Sequence, residues 1–584
     1  QHLFWIFGHP EVYIIFLPAI ALLAMIIPTF AQRPIAGYSW IVLSAIGTGF
    51  LSFGLWVHHM FTTGLPSISL GFFSAASEAV AIPTGIQLFV FIATVMLGNV
   101  VRTVPMLFCL GALATFIVGG LTGVMIAVAP FDFQVHDTYF IVAHLHYTLI
   151  GGMLFPVMAG VQYYYPFATG KLLSRKLGIW SFWLTFLGFN TAFLPMHLTG
   201  LLGMPRRVFT YGADRGWDLL NMVSTVGAFV LAAGFLLFAW DCVRPKRKEP
   251  DAPRNVWNAG TLEWVAKVPA DNYGLRSIPQ IISRYPLWDD KALLETIDQG
   301  RGLLAHAREG RRETLVTSVL DAEPVQVLRV GTPTWLPMLA AIGLGGTFIF
   351  PVWKLWWLTL GSGLFFLIVV LYWLWTGTAE IPEKQSKDIG EGRRVPLYVA
   401  GPRSTGWWAM FITMTGDLTA FLAVLFGYFF FWTIHTDFPL LGVDGPGWQW
   451  PLAAGVLTLA TWATTLGARF TNTAGQVVLS RILLGAGPIG AAASGLALMA
   501  GPWTTGLDPT AHAYPAIVWG LVVWVVLHLA AGIIMQAYCL ARSIFNRLTP
   551  THDADLWNVT LYWHFTGFCA LLTALVIGGF PLLQ

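Results

Sequence analysis

Histidines are the residues of this chain best placed to do chemistry, because several fall inside long apolar runs, where an imidazole is costly unless it finds a ligand, a hydrogen bond or water. His9 opens the segment His9-Pro10-Glu11-Val12-Tyr13. On a helix Tyr13 returns to within about 40° of the His9 face, so imidazole and phenol can touch. His58 and His59 are adjacent near the end of the next apolar run, where a departure from regular helix would let neighbouring side chains converge on one ion. Three imidazoles without a thiolate suit copper or zinc. His144 and His146 stand two apart and diverge by about 200° on a helix. They cannot easily share one metal, but each can ligate a cofactor on its own side, and axial haem ligation is the use a helix bundle offers. His136 and Asp137, with Arg206 and Arg207 on the same side of the membrane, suit haem propionates or a hard cation. A lone membrane histidine is as readily a hydrogen-bonded packing residue, and His2, His197, His528 and His564 are weighed that way. Packing does not explain the adjacent pair, the His-x-His pair and the His–Tyr pair in one block.

Positioning these groups requires a membrane bundle. Of 584 residues, 56% are hydrophobic and 10% charged, with a mean hydropathy of +0.67, too few charges for a soluble surface. The expected fold is all-α, a polytopic transmembrane bundle of about fourteen spans, each close to the ~20 residues that a bilayer needs. Residues 1–242 form a first block with spans near 5–30, 38–60, 77–99, 105–128, 139–165, 178–202 and 218–241. A polar linker at 243–333 follows, with the basic run Arg244-Pro245-Lys246-Arg247-Lys248. Residues 334–584 hold two spans near 335–352 and 355–377, a charged connector from Glu380 to Arg403, and five more spans near 405–434, 450–469, 480–502, 514–541 and 558–580.

Lys and Arg collect in alternate loops, which places those loops inside. Arg206, Arg207 and Arg215 break the rule and are expected to neutralise something negative at the outer face. The net charge of +3 is small and scattered, so no nucleic-acid partner is expected. Cys109, Cys242, Cys539 and Cys569 are too far apart for a metal or disulfide motif and read as packing residues. The 27 Trp and 42 Phe read as lipid-facing and interfacial residues. The start at Gln1-His2-Leu3, without Met, is expected to be a truncation.

Five motifs carry a resemblance: GHPEVY at 8–13, HHMFT at 58–62, AIPTG at 81–85, VHDTYFIVAHLHY at 135–147 and GMPRR at 203–207. In order and spacing they are similar to the haem-copper oxidase subunit I family, over about residues 1–242. The resemblance implies that His9, His58 and His59 hold copper B, with Tyr13 cross-linked covalently to His9. His144 would ligate the high-spin haem iron and His146 the low-spin haem iron, the two haems being of type A. Glu11 would be the terminal carrier of the main proton channel, His136 and Asp137 a magnesium site, and Arg206 and Arg207 the holders of haem propionates. From about residue 405 the chain resembles subunit III of the same enzyme, through the Trp407–Trp432 span with its acidic residue, His528, and Tyr562-Trp563-His564-Phe565. Thr261-Leu262-Glu263-Trp264 and Tyr285-Pro286-Leu287-Trp288 resemble the inner tail of bacterial subunit I. The helix pair at 335–377 is either the first two helices of subunit III or a small accessory subunit.

Two positions depart from the family. Gln87 stands where the second proton channel has a lysine, and Glu78, about 180° away on a helix, is a poor replacement. Asp417 takes the place of a glutamate in the subunit III part. The activity so implied is dioxygen reduction to water coupled to proton translocation, in a bacterial inner membrane, with lipid around it and electrons from cytochrome c through a separate subunit II. Glu11, in an apolar setting, would be held neutral until needed. A quinol oxidase of the same superfamily is the nearest rival. A polytopic metal-ion transporter is the rival from another class, and would have exchangeable ligands along several helices and no haem.

Overall fold

The computed structural model describes residues 4–246, 250–270, 277–304, 313–331, 333–377, 381–382, 384–435, 438 and 445–583. His2, Arg247, Lys248 and Glu380 lie outside the described residues. The chain forms two compact units, Gln1–Gly302 and Leu303–Gln584. Among the described residues fourteen helical segments are long and apolar enough to cross a membrane, seven in each unit. The expected polytopic all-α bundle is what the chain builds.

In the first unit α1 runs Trp5–Ala31, α2 Tyr38–Ser52, α3 Ser67–Ala79, α4 Ala81–Met96 and α5 Val104–Ala127. A short α6 (Ala129–Val135) leads to α7 (Tyr139–Leu149), α8 (Phe155–Thr169), α9 (Arg175–Leu201) and α10 (Asp218–Val243). Local chemistry sets the ends. Gln32 takes left-handed geometry (φ 51°) after α1, where its amide and that of Arg33 return to the carbonyls of Thr29 and Pro28, and Pro34 bars continuation. Ser174 caps α9 by accepting the Leu177 amide, the usual remedy for an unpaired first-turn N–H. The third span begins at Ser67, ten residues before the expected 77, because α3 and α4 form one crossing joined at Val80, which keeps right-handed helical backbone angles.

Two irregular stretches fall beside the histidines. His58 and His59 lie on a tight 3-10 segment, Trp56–Thr63, and α7 passes to α8 through a π turn at Ile150–Leu154. Such wide turns often accompany functional sites within helices. Beyond α10, α11 (Pro286–Asp289) and α12 (Leu293–Asp298) belong to a polar tail that packs back on the same unit. Trp264 is fully buried there and its Nε1 donates to Tyr163 Oη at 2.7 Å, while Tyr285 Oη accepts the Ile35 amide at 3.1 Å.

The second unit contains α13 (Leu336–Ile349), α14 (Trp356–Gly377), α15 (Thr405–Ile434), α16 (Gln449–Thr473), α17 (Val477–Thr504), α18 (Ala513–Ile544) and α19 (Ala554–Ala574). Two antiparallel hairpins lie outside the spans: β1 (Glu313–Thr317) with β2 (Pro324–Arg329), and β3 (Ser386–Gly390) with β4 (Arg393–Pro396). They are tied by the buried Glu313 carboxylate, which pairs with Lys387 and lies 3.6 Å from Arg329. The stretch expected as one linker is therefore shared: 244–302 goes with the first unit, and 303–331 joins the second connector in the second. The α13–α14 pair is anchored within its own unit, where Arg547 covers the Trp375 ring at 4.7 Å and donates to the Trp375 carbonyl at 3.2 Å.

Candidate metal centre

One cavity of about 400 Å³ collects most of the expected groups: His9, Tyr13, His58, His59, His136, Asp137, His144 and Arg206 all line it, and Asp132 joins them. At one wall three ring nitrogens converge. His9 Nδ1 lies 3.3 Å from His59 Nε2, and His58 Nε2 lies 3.1 Å from the same atom. All three donors fall within 4.8 Å of one another, and theirs is the one such three-donor group among the described residues.

The hydrogen bonds behind them decide which lone pairs are free. Ser77 Oγ gives its hydrogen to the Phe73 carbonyl at 2.6 Å, so at 2.9 Å it can only accept from His58 Nδ1. His58 is thereby held with Nε2 unprotonated and facing its partners. Trp5 stacks on His59 with centroids 3.9 Å apart and planes at 11°, which fixes the third ring. His9 Nε2 is buried without a partner, and the Tyr13 ring is next to it, centroid to centroid 4.7 Å.

The His-x-His pair behaves as its spacing requires. His144 lines the cavity and His146 does not. His144 Nδ1 donates to the Gly119 carbonyl at 3.0 Å and has Thr122 Oγ1 at 3.1 Å; His146 Nδ1 donates to the Val142 carbonyl at 2.7 Å. A carbonyl can only accept, so both rings keep the Nε2 lone pair for a ligand bond, as second-sphere partners of metal histidines do. Phe193 stacks on His146 at 4.1 Å and 16°. The wall opposite His144 needs its glycine: a Cβ on Gly123 would meet His144 Cε1 at 2.9 Å.

At the rim, His136 Nδ1 bonds Asp132 Oδ2 at 3.0 Å. That hydrogen bond, aided by the Asp132 charge, raises the His136 pKa above its ordinary value against the opposing effect of burial. Asp137, in left-handed geometry (φ 55°), pairs with Arg206.

Several expected residues are placed differently. Glu11 is half-buried and does not line the cavity, so its apolar enclosure is not supplied here; the helical turn that brings Tyr13 under His9 carries Glu11 to another side. Arg207 is exposed with φ 69° and is not on the cavity wall, whereas Arg206 is. His136 and Asp137 turn to Asp132 and Arg206 rather than to each other. His197 is buried with Nδ1 on the Leu194 carbonyl at 3.3 Å, and His564 Nδ1 accepts from Trp462 at 3.1 Å. The four cysteines are free. Sequence reasoning missed Asp132, although its i,i+4 spacing to His136 is a legible signal. It also missed Ser77, Thr122 and Phe193, which carry no local signal because each acts across the bundle.

Residues 1–230 match the family described as cytochrome c and quinol oxidase polypeptide I. Over this region the chain is similar to the haem-copper oxidase subunit I family. It is 41% identical to cytochrome c oxidase subunit 1 of Bacillus subtilis (strain 168) over 345 residues, 59% of this chain and 52% of that protein. The probable quinol oxidase subunit 1 of Staphylococcus haemolyticus (strain JCSC1435) is 46% identical over 264 residues, 45% of this chain and 40% of that one. A solved haem-copper terminal oxidase dimer overlaps 52% of this chain and 55% of its own at 21% identity, with a TM-score of 0.39. The chain spans about half the length of the curated relatives it matches.

The donor set fits this family's cofactors. Three neutral imidazoles without carboxylate or thiolate suit copper. An apolar cavity with one free imidazole lone pair at its wall suits a haem.

Proposed function

We propose that the first unit is the dioxygen-reducing core of a terminal respiratory oxidase, and that the observation carrying this reading is the convergence of His9, His58 and His59 on the cavity that also receives Tyr13 and the free Nε2 of His144. His9, His58 and His59 would hold copper B, His144 the high-spin haem and His146, on the far side of α7, the low-spin haem. When bound, these groups would hold dioxygen and pass to it the electrons that an external donor delivers for its reduction to water. The residues do the rest. Gly119 and Ser77 keep the ligand histidines in the right tautomer. Tyr13 holds a phenolic proton at the cavity wall beside His9, and the unpartnered His9 Nε2 is the atom through which a His9–Tyr13 bond would form, replacing its N–H and a Tyr13 ring C–H, with the two electrons and two protons released passing to dioxygen. Arg206 presents positive charge at the rim, where haem propionates would lie; His136 and Asp137 would reach a magnesium ion only by exchanging their present partners, Asp132 and Arg206. Glu11 delivers protons from beside the His9 turn. Haem A as the haem type, cytochrome c as donor, a separate subunit II and a bacterial plasma membrane complete the proposal. Its relatives carry both cytochrome c oxidase and quinol oxidase names, so a quinol donor is the second reading.

The second unit is proposed as a subunit III part. The three features that carry the likeness meet in space: His528 Nε2 lies 2.7 Å from Asp417 Oδ2 and the Tyr562 hydroxyl donates to the His528 carbonyl at 2.8 Å. The anchoring of α13–α14 within this unit favours their being its first two helices.

Reduced-minus-oxidised and carbon monoxide difference spectra on membranes with the full-length protein test the core. Two haem signals are expected, with carbon monoxide binding abolished by His144→Ala; a well-expressed wild type without haem returns the metal transporter to first place.

A further inference from the structure

The proposed oxidase chemistry gives Thr122 no part. Its side chain does not line the cavity; it stands behind His144, on the side of α5 that packs against α7. Glycines allow the two helices to come this close. A Cβ on Gly119 would meet the Thr148 amide nitrogen at 2.8 Å, and one on Gly123 would meet His144 Cε1 at 2.9 Å.

His144 Nδ1 therefore has two acceptors from α5, the Gly119 carbonyl at 3.0 Å and Thr122 Oγ1 at 3.1 Å. The single hydroxyl hydrogen of Thr122 goes to a carbonyl of its own helix, Val118 or Gly119, each at 3.0 Å. Its lone pairs are left to face the imidazole. Donation in the other direction would need an unprotonated Nδ1, which would then stand against the Gly119 carbonyl with no hydrogen between them. Among the described residues His146 is served differently: Nδ1 meets only the Val142 carbonyl of its own helix, at 2.7 Å. Two imidazoles two residues apart thus differ in the number of their acceptors and in the helix that supplies them.

One carbonyl is enough to fix a tautomer, as His146 shows, so the Thr122 hydroxyl does something more. An imidazole whose N–H is more fully accepted is a stronger donor through its other nitrogen. We propose that Thr122 is a positioning residue that raises the donor strength of His144 Nε2 above that of His146. This rests on the reading of both histidines as axial haem ligands.

The test is resonance Raman spectroscopy of the reduced, full-length holoenzyme, read at the iron–histidine stretching band of the high-spin haem. T122V removes the hydroxyl at nearly constant shape, and T122S restores it. The band is expected to move to lower frequency in T122V and to return in T122S. The midpoint potential of the high-spin haem should rise in T122V while that of the low-spin haem stays where it is. A band unmoved in T122V, or moved equally in T122S, would overturn the proposal. If T122V loses haem, T122A takes its place; loss of haem from both, with T122S retaining it, would make Thr122 a packing residue and also overturn the proposal. Wild type without haem would sink the oxidase reading itself and this proposal with it, an outcome distinct from a band that is present and unmoved.

Discussion

Both units bury histidines in membrane helices, yet they use them in opposite ways. In the first unit His58, His144 and His146 are each bonded through Nδ1, to Ser77, Gly119 and Val142, and keep Nε2 free. In the second, His528 is bonded at both ends, Nδ1 to the Trp524 carbonyl and Nε2 to Asp417, each at 2.7 Å, and Trp524 stacks on it at 3.6 Å. A membrane histidine becomes a ligand when its surroundings satisfy one nitrogen and leave the other aimed at a shared space. With both nitrogens satisfied, it ties helices together. Counting histidines does not separate the two cases; asking where the second lone pair goes does.

The strongest way to break this comparison is to loosen one ring of the first unit. Ser77→Ala removes the acceptor that fixes His58, and copper affinity is expected to fall about 10–100-fold, the usual effect of losing such a partner. Chelator competition with metal analysis of the full-length protein measures it; unchanged affinity would mean that Ser77 does not set the tautomer. The second unit should respond in stability and not in metal. Asp417→Asn weakens a partly exposed charge-assisted bond and should cost about 1–2 kcal/mol, read as a lower melting temperature with haem and copper content intact. Loss of metal in that variant would overturn the division of roles between the units.

The smallest effect concerns the rim. The Asp132 partner raises the His136 pKa, so the pair contributes stability that is fully present below the ordinary imidazole value of about 6.5 and is lost as pH rises through the raised one. Thermal stability of wild type relative to His136→Gln, followed from about pH 6 upward, should show the difference shrinking with rising pH. A difference that stays constant would remove the ion pair from the account.

Much of this was legible in the chain because hydrophobic length and helical periodicity are local properties. The fourteen spans, the divergence of His144 and His146, and the nearness of His9 and Tyr13 all follow from 3.6 residues per turn and from the cost of exposing backbone to lipid. The Asp132–His136 pair was equally local, though overlooked. The burial of Glu11 was not local: a residue's enclosure depends on which neighbouring helix covers it. For the same reason adjacent Arg206 and Arg207 looked alike and part company, one in the cavity wall and the other exposed with φ 69°.

By itself, then, the sequence determined a helical membrane protein with an imidazole-rich block, since composition and spacing act within a single helix. Only the tertiary structure decided which nitrogens are free. Ser77 reaches His58 from 19 residues away and Gly119 reaches His144 from 25 away, and hydrogen bonds between helices exist only once the helices have packed.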